Sequence, residues 1–104
     1  IVLTLSQTRI DDAGLASLSN LSRLERVDLA GTQVTDSGMV HLARLKNLRL
    51  LDLSQTEISD RSVEPLGQLN RIQVLNLRDT QFTKAGFEQL SKRIPDCKIR
   101  YGAK

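Results

Sequence analysis

Positions 5, 29, 53 and 77 of this 104-residue chain are all leucine, and the interval of 24 between them recurs in column after column. Thr8, Thr32, Thr56 and Thr80 share it, as do Ile10, Val34, Ile58 and Phe82. So do Leu3, Val27, Leu51 and Leu75; Leu15, Met39, Val63 and Phe87; Leu18, Leu42, Leu66 and Leu90; and Leu24, Leu48 and Ile72. Leu21, Leu45 and Leu69 form a further column that drifts to Ile94 in the last unit. A fixed period of this length means one supersecondary unit repeated, each copy giving the same inward positions to a shared core. Aromatic residues are 3% of the chain and tryptophan is absent, so leucine must supply that core.

Inside one unit the hydrophobic period changes. "LLDLS" (50–54) alternates as a half-buried strand does, whereas "VEPLGQL" (63–69) places apolar residues at i, i+3 and i+6, close to helical spacing. Each unit is therefore expected to be a strand, a turn and a short helix. Asp11, Thr35, Ser59 and Thr83 form a column just before the helical segment, and all four can accept a hydrogen bond from the first free helix amides, as N-caps do. Asp12, Asp36 and Asp60 follow, where a carboxylate suits the positive end of a helix dipole; the fourth unit has Lys84 instead. Gly14, Gly38 and Gly86, with Ser62 in the third unit, point to a close approach of neighbouring coils. Pro65 inside the third helical segment implies a short or irregular helix.

"LRLLDLSQTEI" (48–58) fits L-x-x-L-x-L-x-x-N/C-x-L with threonine in the Asn/Cys position, and so resembles the leucine-rich repeat. With "IDDAGL" and "VTDSGM" after the turn and "RIPDCKIRY" at the end, the chain is similar to Thr-type bacterial repeats of the kind abundant in planctomycete proteins. The resemblance covers essentially all of it. It implies an α/β fold, a right-handed leucine-rich repeat solenoid with a parallel sheet on the concave face and short helices on the convex face. It also implies protein recognition, and a Thr column whose hydroxyls bond loop backbone from one coil to the next.

On this reading residues 1–104 are a single leucine-rich repeat domain, four repeats of 24 residues plus a C-terminal capping strand at 97–102. Ile99 and Tyr101 continue the Leu75 and Leu77 columns, while Arg93 and Asp96 fall in columns that are apolar upstream, so the core tapers. Leu3, Leu5, Ile10, Leu15 and Leu18 are expected to be uncovered on one side. Either the chain is the C-terminal part of a longer protein, the favoured reading, or another subunit covers that end, which makes homo-oligomers a second expectation.

Strand alternation turns three columns outward: Arg26, Leu50, Val74, Lys98; Thr4, Asp28, Asp52, Asn76, Arg100; and Ser6, Ala30, Ser54, Arg78, Gly102. The candidate protein-binding residues are Arg26, Asp28, Leu50, Asp52, Val74, Asn76, Arg78 and Arg100. Leu50 and Val74 are neighbouring aliphatics on a solvated face, either a contact site or ordinary exposed apolar surface. Asp28 and Asp52 should repel across the sheet, with Arg26 and Arg78 offsetting them. A hard cation between them would need about six oxygens, which the flanking residues do not supply, so no metal or cofactor is expected.

No catalytic grouping is visible. His41, the only histidine, falls on the exposed side of the second helix, and Cys97 lies in the terminal coil, where it reads as a partly buried cap residue. A nucleophile needs a base within hydrogen-bond reach. One cysteine also excludes an internal disulfide, and no apolar run approaches the roughly 20 residues that cross a bilayer. Residues 81–104 hold six Lys/Arg against two Asp/Glu, whereas residues 1–80 are nearly balanced. Lys84, Lys92, Arg93, Lys98, Arg100 and Lys104 thus raise weak polyanion binding as an alternative, although only Tyr101 is at hand for stacking. The functional expectation is a non-catalytic protein-recognition module; the alternatives are a structural C-terminal cap of a longer array and that polyanion site.

Overall fold

Within each unit only three residues of the alternating stretch pair as a strand before the chain turns, so the strands are short. The computed structural model describes residues 2–102; Lys104 of the basic group lies outside them. The strands are β1 (Val2–Thr4), β2 (Arg26–Asp28), β3 (Leu50–Asp52), β4 (Val74–Asn76) and β5 (Lys98–Arg100). All pair in parallel, in chain order, and each residue faces the one 24 positions on: Arg26 opposite Leu50, Leu50 opposite Val74, Asp28 opposite Asp52. The helices are α1 (Asp12–Leu18), α2 (Met39–Leu42), α3 (Val63–Leu66) and α4 (Lys84–Arg93), with a 3-10 turn before α2 (Asp36–Gly38) and before α3 (Asp60–Ser62). The second unit makes the same four-residue helix without a proline, so Pro65 is not what keeps α3 short.

Between the sheet and the helices the inward columns form one apolar cluster from Leu15 to Ile94. Two expectations fail at its first coil. Leu15 is fully buried, because its Cδ1 lies where a side chain on Gly38 would go and so packs into the second coil. Leu21 is 48% exposed, although Leu45 and Leu69 in the same column are buried. At the other end the Phe87 and Tyr101 rings stack at 4.9 Å and close the tapering core.

The threonine column does not bond from coil to coil. Thr8, Thr32, Thr56 and Thr80 each donate through Oγ1 to the carbonyl three residues earlier in the same coil, at 2.6–2.7 Å. A side chain this short reaches only its own turn. The link between coils there is backbone: Gln7, Gly31, Gln55 and Asp79 all have φ of 59–69°, which aims their N–H groups at Ala30, Ser54, Arg78 and Gly102 of the following coil. Left-handed backbone costs a non-glycine residue about 1 kcal/mol or more, and one inter-coil hydrogen bond offsets that at each position. At Gly31 the same conformation costs nothing, and the absent Cβ leaves room for the Gln7 amide, which crosses above it to Gln55.

Asp12, Asp36 and Asp60 do more than face a helix dipole: each clamps the cap of the next coil. Asp12 accepts from the Thr35 amide (2.7 Å) and hydroxyl (2.5 Å), Asp36 from those of Ser59 (2.8 and 2.6 Å), and Asp60 from those of Thr83 (2.8 and 2.5 Å). The cap hydroxyl works in both directions, because it also accepts from its own helix, from Ser37, Arg61 or Gly86 N–H. That double role requires a hydroxyl rather than a carboxylate. The glycine column is the space the clamp needs: a Cβ on Gly38 or Gly86 would strike the Asp12 or Asp60 carboxylate. Ser62 is tolerated because its hydroxyl joins in, donating to Asp36 at 2.5 Å.

Burial raises the Asp36 pKa, but the hydrogen bonds from Ser59 and Ser62, aided by Arg61, outweigh it and hold the carboxyl below its ordinary value. A carboxyl depressed in this way contributes fully above its unfolded pKa of about 3.9 and loses that contribution as pH falls through the lower folded value. Asp36→Ala is expected to cost about 2 kcal/mol at neutral pH through the lost charge-assisted bonds. Urea unfolding followed down to about pH 2.5 should show the wild type losing more stability than Asp36→Asn; parallel curves would mean that Asp36 contributes nothing to acid sensitivity.

Candidate functional site

The outward columns form a shallow, open hollow of about 270 Å³ on the sheet face. Val2, Leu50 and Val74 supply its apolar lining, and Arg26, Asp28, Asp52, Asn76 and Arg100 surround them. Seven of the eight candidate residues therefore meet at one place. Arg78 does not line it; that side chain is exposed, one column farther along the strands. Val2 joins them although the outward column read from the sequence starts at Arg26; one more step of 24 leads back to it. Val2 is 61% exposed, whereas Leu50 and Val74 are half-buried by the flanking side chains.

The carboxylate column has a structural duty as well. Asp28 Oδ1 accepts from Ala30 N–H at 3.1 Å; Asp52 Oδ1 accepts from Ser54 N–H at 2.9 Å and Ser54 Oγ at 2.7 Å; Asn76 Oδ1 accepts from Arg78 N–H at 3.1 Å. These local turns fix the side chain just past the strand. The charge of the facing Asp28 and Asp52 is thus met first by backbone amides, not by Arg26 and Arg78 as expected. Asn76 makes the same turn without a charge, which shows that the geometry needs an acceptor and not an anion.

Among the described residues no three His, Cys, Asp or Glu side chains gather in the way a metal ion needs. His41 in α2 is half-buried rather than exposed. Cys97, between α4 and β5, is half-buried, and burial pushes its thiol up to about 11. Its Sγ sits 3.7 Å from the Lys98 carbonyl, and a neutral thiol so placed is a poor nucleophile. The basic C-terminal residues are spread over two layers. Lys84, Lys92 and Arg93 belong to α4, with Arg93 paired to Glu64 at 2.8 Å, while Lys98 and Arg100 belong to β5. No helix among the described residues is long and apolar enough to cross a membrane.

Residues 21–43 and 44–67, the second and third coils, each match the family model described as Leucine Rich repeat. With the parallel five-stranded sheet alternating with short helices, the chain is a leucine-rich repeat protein of α/β solenoid type. Such repeats are generally protein-interaction modules and typically non-catalytic. No curated protein matches the chain.

Asp52→Asn is expected to leave stability within about 0.5 kcal/mol of wild type, since asparagine keeps the acceptor, whereas Asp52→Ala should lose about 1 kcal/mol. Chemical denaturation of the two variants separates the turn from the charge. Cys97 should be alkylated slowly at neutral pH in the folded chain and at the rate of an ordinary free thiol in denaturant; equal rates would contradict its burial.

Proposed function

We propose that this leucine-rich repeat protein is a non-catalytic recognition module that binds an extended stretch of another protein across the sheet, with the sheet as the concave face of the solenoid. The observation that carries the reading is the hollow itself, an apolar lining of Val2, Leu50 and Val74 flanked by the cations Arg26 and Arg100 and the anions Asp28 and Asp52. An aliphatic side chain of a partner fits the lining, and its charged neighbours meet Arg26 and Arg100 on one hand and Asp28 and Asp52 on the other. The hollow is too open to enclose a metabolite, since small-molecule sites bury most of their ligand. Apolar contact at the centre with polar groups around it is the common arrangement of protein interfaces.

A structural role as the closing coils of a longer array is compatible with this and is favoured by a separate observation, the Phe87–Tyr101 stack over the end of the core. Polyanion binding has less support, because Arg93 is engaged by Glu64 and the remaining cations are divided between α4 and β5.

The test is selection of displayed random peptides on the immobilised chain, followed by binding of the selected peptides to two variants. Leu50→Glu should lower affinity about tenfold or more by placing a charge in the lining, and Asp52→Asn should weaken peptides that carry a cation while leaving the fold intact. Val40→Glu, on exposed α2 surface, is the control and should change nothing. Selected peptides that bind Leu50→Glu as well as wild type would remove the sheet face as the site.

A further inference from the structure

We propose that the segment bound on the sheet face is bipolar: a Lys or Arg over Asp52 and an Asp or Glu over Lys98 and Arg100, three residues apart, with an aliphatic side chain between them in the hollow. This rests on the sheet-face reading and adds to it the order and spacing of the partner's charges. The outward face is sorted by sign across the coils. Its carboxylates, Asp28 and Asp52, stand on β2 and β3, whereas Lys98 and Arg100 stand on β5 and Arg78 just past β4. The outward residues of β4, Val74 and Asn76, separate the two groups without charge.

Arg26 is the exception, and it decides which carboxylate is left over. It lies two residues before Asp28 on β2, on the same face, so the outward charges of that strand cancel. On β3 the same place is held by Leu50, and Asp52 has no cation beside it on its strand. Its bonds from Ser54 N–H and Oγ both fall on Oδ1, which leaves Oδ2 for a donor from outside. On β5 both Lys98 and Arg100 are exposed, and among the described residues no ion pair takes up Asp52 or Arg100. A cation therefore settles best over β3 and an anion over β5. The reverse order opposes like charges at both places, and a segment of one sign opposes them at one.

Strands β3 and β5 are two strand spacings apart, about 9.6 Å. A segment that crosses the strands cannot add to the ladder, so its own conformation sets the fit. An extended chain of polyproline II type advances about 3.1 Å per residue and returns to the same face at every third one, which puts like-facing side chains about 9.3 Å apart. Charges three residues apart thus reach Asp52 and Arg100 together. One of the two residues between them turns sideways along the strands and sets its aliphatic side chain on Leu50 and Val74, which are neighbours across β3 and β4. An α-helix brings its charges to a similar separation only at seven residues, about 10.5 Å.

The experiment reads the displayed random peptides selected on the chain for the order of their charges. Those that lose binding to Leu50→Glu are expected to carry Lys or Arg and Asp or Glu three positions apart. For one such peptide, made synthetically, the double variant Lys98→Glu with Arg100→Glu, on exposed strand surface, should lower affinity about tenfold or more. Replacing the peptide's acid by Lys should restore binding to that variant and weaken it on the wild type. Asp52→Asn, which keeps the turn acceptor, should weaken the parent peptide but not one whose cation is replaced by Gln. Moving the acid next to the cation should also cost the wild-type chain about tenfold. Peptides that need Leu50 but carry charges of one sign, or charges seven residues apart, would overturn the proposal and leave the sheet-face reading standing, as would failure of the charge swap. Peptides indifferent to Leu50→Glu, or no selected peptides at all, would remove both.

Discussion

Parallel strands about 4.8 Å apart are the constraint that the rest of this molecule obeys. Each coil lies directly on a copy of itself, displaced by 24 residues, so a residue type is allowed in a column only if it tolerates its own neighbour. Leucine, isoleucine and valine satisfy this by packing, and they fill the inward columns. The threonines satisfy it by turning back on their own coil, which leaves no polar group aimed at the next. Aspartates satisfy it by finding donors other than their own column: in the clamp column the contact is shifted one residue, from Asp to the following coil's cap, and the facing Asp28 and Asp52 each turn back on their own backbone.

That shift links features that look unrelated in the chain. The cap must be a hydroxyl because it donates to one coil while accepting from its own helix, and the glycine three residues after the cap must be small because the carboxylate passes over it. Ser62 shows the alternative: a larger residue is accepted when it adds a hydrogen bond to the same carboxylate. Energetically the clamps are charge-assisted bonds, part-buried at Asp12 and Asp36 and exposed at Asp60, and their charge makes them stronger than the neutral backbone bonds they accompany.

Outward columns are under less pressure, because solvent and flexible side chains absorb mismatches there. This is where the chain places residues that do not repeat: Arg26 between Val2 and Leu50, Asn76 after two aspartates, Arg78 after serine and alanine. Departure from the period on a face that the core does not need separates side chains without a packing duty from scaffold. Even there the separation is incomplete, since Asp28, Asp52 and Asn76 also hold the turns that follow their strands.

The sequence by itself determined the period, the inward columns, the order of strand and helix in each unit, the caps, and which strand residues face outward. All of these follow from side-chain type at fixed spacing, and spacing is visible in one dimension. Only the tertiary structure decided which of two reachable partners a polar group takes. A threonine can bond its own coil or the next, and an aspartate after a cap can serve a helix dipole or clamp the hydroxyl 23 residues on; the choice depends on distances between coils that no single coil contains. The burial of Leu15 against the exposure of Leu21, and the left-handed backbone at Gln7, Gln55 and Asp79, were decided at the same level. In each case one coil's geometry is set by where the next one lies.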